Sequence, residues 1–177
     1  MFKLFLLILY GILDAKITYD QYLGLKVEIA ALISKHNCGP LFVRLAWHDA
    51  GTYDSKTNTG GPRAAMRFDD GESKHDANNG LEIARKLLLP LQKKYCDKNI
   101  ISIADLWAFA GNTAIEVTKG PNIPFKFGRI DAKDSSECVE DGRLPDAKQG
   151  ISHIRSVINR IMGNNDDKYV VALSGAH

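Results

Sequence analysis

Cysteine is scarce in this sequence, and its placement excludes two kinds of small scaffold. The three cysteines, Cys38, Cys96 and Cys138, are an odd number and include no C-x-x-C pair. Disulfide-rich secreted domains use an even set of cysteines at regular spacings, and zinc knuckles use closely paired ones. The sequence therefore predicts neither a disulfide framework nor a zinc knuckle.

An excess of charge of one sign is also lacking. The 23 basic and 21 acidic residues are mixed along the chain and give a formal charge of +2. Proteins that track a phosphate backbone carry a continuous basic stripe, so we predict no nucleic-acid partner. With 177 residues, 45% hydrophobic and 25% charged, the composition is that of one soluble globular domain.

Long hydrophobic runs are nearly absent, and the one at the N-terminus is short. Residues 4–13 are apolar and follow a single lysine, but a helix needs about 20 apolar residues to span a bilayer. A basic residue before a short apolar core is typical of a signal peptide. We therefore predict a signal peptide at residues 1–15, entry into the secretory pathway or an organelle, and no stable membrane span. If this segment is instead a buried N-terminal helix, we expect a cytoplasmic protein.

The commonest catalytic signatures are missing as well. The sequence has no G-x-S-x-G, no H-E-x-x-H and no G-x-x-x-x-G-K, which excludes the usual hydrolase elbow, zinc protease and P-loop. Its histidines do not have the spacing of a zinc site. They are His36, His48, His75, His153 and His177.

Helical periodicity, in contrast, is present along most of the chain. Two N-terminal capping patterns, Thr18 with Gln21 and Ser102 with Asp105, precede apolar residues at helical intervals. No sustained alternation indicates a sheet, so we predict an all-α fold. Helices are predicted over 18–36 (closed by Gly39-Pro40), 41–50, 80–95 (kinked at Pro90), 102–117 and 146–162, and from 167 onward.

Polar side chains interrupt an apolar helix in the segment LFVRLAWHDAGTYD, residues 41–54. On a helix, Arg44, Trp47 and His48 share one face. A buried guanidinium needs a counter-charge, water or a polar ligand, because it does not lose its proton. The pattern therefore indicates a cavity in which a fixed positive charge lies beside a proton acceptor.

Purely structural interpretations of these polar residues remain open at this point. Arg44 would then pair with Asp49 or Asp69, and the neighbouring histidine would be a hydrogen-bonded core residue. Asn78, in the segment HDANNGL, would cap the helix that follows it.

Six motifs, taken in order, resemble those of the intracellular-type (class I) haem peroxidases, the group of ascorbate peroxidase and cytochrome c peroxidase. They are LFVRLAWHDAGTYD, TGGP, HDANNGL, IPFKFGRID, GRLPDA and VVALSGAH. The resemblance implies a helical haem peroxidase domain over residues 16–177. It comprises the distal half and the start of the proximal half, and is incomplete at its C-terminus.

The resemblance also implies a haem b (iron protoporphyrin IX) site. The positions that match catalytic residues are Arg44, His48 and Asn78. The positions that match cofactor contacts are Trp47, Pro145, Ala147, Leu173 and His177. Among these, His177 matches the axial ligand of the iron, and Glu72 matches an acid of the distal network.

These residue types fit the cleavage of hydrogen peroxide. Neutral His48 is expected to take a proton from the peroxide and return it to the departing oxygen, so that water leaves. Arg44 is expected to stabilise negative charge as the O–O bond lengthens. We therefore predict a haem-dependent peroxidase that acts in oxidative stress and reduces hydrogen peroxide with electrons from ascorbate or cytochrome c.

The choice between the two electron donors stays open. Cys38 matches a cysteine near the ascorbate site, whereas His36 stands where ascorbate-using members have lysine, and the segment 128–145 looks more like cytochrome c peroxidase. Chains of this family continue beyond the histidine that matches His177, so we expect a fragment of a longer gene product that alone binds haem poorly. The alternatives are a non-catalytic haem-binding or sensor protein, and a secreted helical module without cofactor.

Overall fold

The computed structural model describes residues 17–174, and these residues are mainly helical. The helices of this range are α1 Tyr19–His36, α2 Gly39–Ala50, α3 Leu81–Leu91, α4 Ile103–Val117, α5 Ile151–Met162 and α6 Asp167–Ser174. Within the same residues no strand forms beyond an isolated antiparallel bridge between Asp54 and Thr59. The predicted all-α fold is confirmed. The predicted signal peptide and His177 lie outside the described residues.

Helix α1 begins where the capping pattern predicts. The Thr18 Oγ1 accepts from the Gln21 N–H at 3.2 Å, and the Gln21 Oε1 accepts from the Thr18 N–H at 2.8 Å, which is a complete capping box. The helix ends just before Asn37, whose φ of 51° is left-handed. Gly39 and Pro40 were expected to close α1 and instead begin α2. Proline is tolerated in a first helical turn because its position there needs no N–H donor.

The boundaries of α3 differ from the prediction at its C-terminal end. The predicted helix over 80–95 is a regular helix only to Leu91, and Gln92–Cys96 forms a π-helical segment. Pro90 lies directly before this change. Because proline has no N–H to donate, it removes one bond of the helical ladder at this point.

Helix α5 begins at Ile151, five residues later than predicted. The preceding residues form a turn, in which the Asp146 Oδ1 accepts from the Lys148 N–H at 2.9 Å. The Asp146 N–H also donates to the His153 Nε2 at 2.9 Å. Aspartate favours such local bonds over a helical conformation, and the periodicity of the apolar residues does not reveal this competition.

The chain divides into two compact units, and the described residues of the first are 17–47 and 80–131. Apolar side chains of α1, α2, α3 and α4 form its core. The largest of them that are fully buried are Leu25, Ile29, Phe42, Leu45, Leu81, Leu88, Leu106, Trp107 and Phe109. Helices α2 and α4 approach closely at Gly111, where an added Cβ would lie 2.7 Å from the Ala46 Cβ.

Two acidic residues organise the start of α4 in this unit. The Ser102 Oγ accepts from the Asp105 N–H at 3.0 Å, so the predicted N-cap is present. The Asp131 carboxylate accepts from the first two helical N–H groups at 2.9 and 2.8 Å. The Asp105 carboxylate does not return a bond to the cap and instead accepts from Arg129 at 2.9 Å. A charged partner is the stronger one for a carboxylate, so the capping box stays half formed.

The second unit has described residues 48–79 and 132–174, with α5 and α6 as its α-helices apart from the end of α2. Its remaining segments are irregular, with short 3₁₀ turns. Its buried apolar residues include Met66, Val157, Ile158 and Val170.

No helix among residues 17–174 has both the length and the apolar character needed to cross a membrane. All three cysteines are free thiols, and Cys38 is buried.

Candidate active site

Helix α2 carries the three side chains that the spacing singled out. Arg44, Trp47 and His48 lie on successive turns of α2, and each is only partly buried. Phe42 and Leu45, on the same helix, are fully buried. The helix therefore buries one face in the core and leaves a polar and aromatic face partly accessible.

A buried amide fixes the orientation of the His48 ring. The His48 Nδ1 lies 2.8 Å from the Asn78 Oδ1. Asn78 is 3% exposed, and its Nδ2 donates to the Glu72 carbonyl oxygen at 2.8 Å. Because the amide nitrogen is committed to that carbonyl, the amide oxygen faces the imidazole, and Nδ1 must carry the proton. The neutral ring then has its lone pair on Nε2.

The interpretation of Asn78 as a helix cap is wrong. Gly80 is the N-cap of α3, with a φ of 84°, and no side chain caps that helix. Asn78 instead ends a short 3₁₀ turn, Asp76–Asn78. Its amide is therefore available to His48.

Glu72, whose backbone carbonyl accepts from Asn78, also carries a buried carboxyl group. Glu72 is 1% exposed, and its Oε1 accepts from the Val139 N–H at 3.1 Å. Its Oε2 is buried and has no hydrogen-bond partner among the residues that the structure describes. Burial raises the pKa of the Glu72 carboxyl above its ordinary value, because the charged form loses its hydration.

Tight turns hold the end of α2. The Thr52 Oγ1 donates to the Asp49 carbonyl oxygen at 3.0 Å and accepts from the Gly61 N–H at 2.9 Å. The Asp49 carboxylate is buried and accepts from the Ala64 N–H at 3.1 Å. Gly60 has a φ of 68°, and a Cβ there would lie 2.4 Å from the Thr52 carbonyl oxygen. The close approach of these two backbone segments explains the glycines of the TGGP motif.

Two arginines for which the sequence predicts no role donate to backbone carbonyls just beyond α2. Arg160, on α5, donates to the Gly51 oxygen at 3.1 Å, to the Thr52 oxygen at 3.2 Å and to the Tyr53 oxygen. Arg143 donates to the Thr52 oxygen at 3.0 Å. No sequence signal separates Arg160 from Arg155, the other arginine of α5, so these contacts could not be found from the sequence.

The described contacts do not bring the other predicted residues to the His48–Asn78 pair. Pro145 and Ala147 are exposed in the loop before α5, and Leu173 is 41% exposed on α6. His177 lies outside the described residues. The assignment of these residues to a cofactor stays a prediction.

The two residues that bear on the electron donor lie near the junction of α1 and α2. His36 is exposed at the end of α1. Cys38 is buried, and its Sγ donates to the Leu32 carbonyl oxygen at 3.6 Å. Burial raises the pKa of the Cys38 thiol, so it remains protonated at neutral pH.

Curated proteins similar to this chain include peroxidases of two donor types. A probable peroxisomal L-ascorbate peroxidase of Oryza sativa subsp. japonica is 50% identical over 150 residues, which are 85% of this chain and 48% of that protein. A cytosolic L-ascorbate peroxidase of Arabidopsis thaliana is 48% identical, over 86% of this chain and 57% of that protein. A mitochondrial cytochrome c peroxidase of Neurospora crassa is 45% identical, over 90% of this chain and 44% of that protein. The chain thus spans about half the length of these relatives.

The family itself is shown by a match over most of the chain. A family model described as "Peroxidase" matches residues 25–177. This range includes the α2 segment with Arg44 and His48, the turn with Asn78, and the final histidine. The match agrees with the resemblance of the six sequence motifs, and the chain belongs to the peroxidase family.

Proposed function

We propose that the protein is a haem-dependent peroxidase that reduces hydrogen peroxide to water, and that this chain supplies its distal catalytic residues. The observation that carries the proposal is the 2.8 Å contact between the His48 Nδ1 and the Asn78 Oδ1, with the other end of the amide committed to the Glu72 carbonyl. This arrangement leaves the Nε2 of His48 as a proton acceptor. Relatives named as ascorbate and cytochrome c peroxidases support the same activity.

Haem b fits the residues that are present. The described residues contain no group of three or more His, Cys, Asp or Glu side chains that could hold a bare metal ion. A porphyrin supplies its own ring nitrogens and needs only an axial ligand from the protein. The partly exposed ring of Trp47, beside His48 on α2, suits a flat cofactor. When bound, the haem supplies the two-electron redox chemistry.

We assign the cofactor contacts from the motif positions. His177 is the proposed axial ligand. Trp47, Pro145, Ala147 and Leu173 are the other proposed contacts with haem.

His48 is the proposed general base and general acid. Its Nε2 takes a proton from one oxygen of hydrogen peroxide and delivers it to the other, departing oxygen. That oxygen then leaves as water and not as hydroxide. Asn78 makes this transfer efficient because it holds the ring in one tautomer and one orientation. Arg44 carries a permanent positive charge one turn earlier on α2 and stabilises the negative charge that develops as the O–O bond breaks.

Ascorbate and cytochrome c are the two proposed electron donors, since relatives of both types are similar to this chain. We further propose a role in oxidative stress. Relatives named as peroxisomal, mitochondrial and chloroplastic support entry into an organelle, and relatives named as cytosolic support the cytoplasmic alternative. The signal peptide at residues 1–15 and the peroxidase domain over 16–177 remain predictions.

The test compares His48→Leu, Arg44→Leu and the control Arg155→Gln, at an exposed position of α5, in haem-loaded protein expressed from the complete coding sequence. We expect the rate constant with hydrogen peroxide to fall by about 10²–10⁴ for His48→Leu and by about 10²–10³ for Arg44→Leu. The exposed control should react like the wild type. Rapid peroxide reduction by His48→Leu would contradict the assignment. A spectral change with peroxide that is never followed by donor oxidation would favour the non-catalytic sensor.

A further inference from the structure

Two guanidinium groups lie at the carbonyl end of α2 and bind it from outside the helix. We call this arrangement the carbonyl clamp: Arg143 and Arg160, with the carbonyl groups of residues 51–53. Both arginines donate to the Thr52 oxygen, at 3.0 Å from Arg143 and 3.2 Å from Arg160. Arg160 also donates to the Gly51 oxygen at 3.1 Å, to the Tyr53 oxygen, and to the Arg143 carbonyl oxygen at 2.5 Å.

Further hydrogen bonds hold both arginines of the clamp in place. The Arg160 carbonyl oxygen accepts from the Ser55 N–H at 3.1 Å and from the Ser55 Oγ at 2.6 Å. Arg143 also donates to the Thr59 Oγ1 at 3.0 Å and pairs with Glu140 at 3.0 Å. Helix α5 and the segment after α2 are therefore joined through side-chain and backbone bonds at once.

The charges of the clamp indicate a role beyond packing. Two cations lie close together, and the nearby charge of Arg143 adds to burial in lowering the pKa of Arg160. This arrangement is costly, and a neutral packing contact would avoid the cost. The carbonyl oxygens of residues 51–53, which accept from the two guanidinium groups, and the negative end of the α2 dipole offset it, because cations are favoured at a helix C-terminus.

We propose that Arg160 is a positioning residue for His48. It fixes the segment directly after α2 through the carbonyls of residues 51–53. Thr52 passes this constraint into the last turn of α2, to Asp49, the neighbour of His48, through its 3.0 Å bond to the Asp49 carbonyl. Asn78 holds the ring of His48, and the clamp holds its backbone. The inference rests on the proposed role of His48 in proton transfer, which is sensitive to displacements of less than an ångström.

The experiment uses Arg160→Gln, Arg160→Lys and a matched control on the same helix. Arg155→Gln is that control, because Arg155 is exposed and, within residues 17–174, pairs with the exposed Asp167 at 2.6 Å. We expect Arg160→Gln to lower the rate constant with hydrogen peroxide by about 10- to 100-fold. Arg160→Lys should recover part of this loss, since an ammonium keeps the charge but donates to fewer carbonyls at once. The KM for the electron donor should stay unchanged in all variants.

A second readout needs no haem. In haem-free protein, ¹⁵N NMR of the His48 ring reports which nitrogen carries the proton. We expect Nδ1–H in the wild type and a mixture of tautomers in Arg160→Gln, while Arg155→Gln keeps the wild-type spectrum. Thermal unfolding of the same samples shows whether each variant is folded.

The outcomes separate this inference from the proposed function. A folded Arg160→Gln with the wild-type rate and ring spectrum would overturn the inference, and the loss of activity in His48→Leu would still support the function. If His48→Leu also reacts like the wild type, the proposed function fails. If Arg160→Gln does not fold, Arg160→Lys decides: a several-fold slower peroxide step with an unchanged donor KM supports positioning, and a wild-type rate contradicts it.

Discussion

The chemistry of His48 depends on how its neighbours use their hydrogen bonds. Asn78 lies 30 residues further along the chain, yet its amide contacts the His48 ring at one end and the Glu72 carbonyl at the other. Neither contact alone selects a tautomer of His48, because an amide with a single contact can exchange the positions of its oxygen and nitrogen. Together they leave the ring with one arrangement. A single buried asparagine thus turns an ordinary histidine into a directed proton acceptor.

Glu72 gives a prediction that can be tested without the cofactor. Burial raises the folded-state pKa of its carboxyl above the ordinary value of 4.5. An acid whose pKa is raised by folding contributes stability below its unfolded pKa, and this contribution is lost as the pH rises through the folded pKa. A pKa difference of one between the folded and unfolded states corresponds to about 1.4 kcal/mol. We therefore expect Glu72→Gln to gain stability relative to the wild type as the pH rises from about 4 to about 7.

Chemical denaturation at a series of pH values measures this difference. Glu82→Gln makes the same change at an exposed position of α3 and is the matched control, relative to which the trend of Glu72→Gln is measured. The measured quantity is the free energy of unfolding of Glu72→Gln minus that of the wild type. If it stays constant or falls as the pH rises, burial does not raise the pKa of the Glu72 carboxyl.

Among the helices, the boundaries that depend on bonds between near neighbours in the sequence were predicted best. The starts of α1 and α4 follow from caps at Thr18 and Ser102, whose bonds reach only three residues along the chain. The predicted start of α5 was wrong because Asp146 has competing local bonds. The predicted end of α1 at His36 is confirmed, but the start predicted for α2 at residue 41 was two residues late, because a proline that can stop a helix can equally begin one, as Pro40 does.

In the candidate site, too, local features could be predicted and contacts between distant residues could not. Helical spacing is a local property, and it placed Arg44, Trp47 and His48 on one helix correctly. The carbonyl clamp could not be predicted, because Arg160 contacts the Gly51 carbonyl across 109 residues of sequence. Periodicity carries no information about which distant backbone a cation will meet. The irregular loops have no periodic signal at all, although the bond from the Val139 N–H to the Glu72 carboxylate lies there.

The packing of α4 against α2 gives a prediction about stability. An added Cβ at Gly111 would lie 2.7 Å from the Ala46 Cβ and 3.2 Å from the Phe42 carbonyl oxygen. Overpacking of this kind costs about 1–3 kcal/mol, whereas alanine in a helix interior gains about 1 kcal/mol over glycine. We expect Gly111→Ala to be destabilised in spite of this gain.

The mid-helix Gly24→Ala on α1 is the matched control, because its added Cβ meets only the Tyr95 hydroxyl, at 3.3 Å. It has the same gain in propensity without the clash between two helices. Denaturant midpoints compare the variants, and Gly111→Ala should unfold at a lower concentration than Gly24→Ala. Equal midpoints would mean that α2 can move away from α4 at little cost.

For the molecule as a whole, cofactor binding and folding should be linked. The described residues include His48, the proposed general acid and base, whereas the proposed axial ligand, His177, lies outside them. Haem that contacts α2 and His177 together would hold widely separated parts of the chain. A ligand that binds only the folded state stabilises that state by mass action.

Thermal unfolding with and without haemin tests this linkage in protein expressed from the complete coding sequence. We expect haemin to raise the Tm of the wild type, with a gain of about 2.7 kcal/mol at a free concentration about 100 times the Kd. His177→Ala should lose most of this gain, because the iron loses its protein ligand, while the exposed control His36→Ala should keep it. The Tm of each haem-free variant is the reference for its own gain, and the haem-free His36→Ala should unfold close to the wild type because His36 is exposed. If His177→Ala retains the full haem-dependent rise in Tm, the iron ligand must be another residue, and the assignment of the axial position fails.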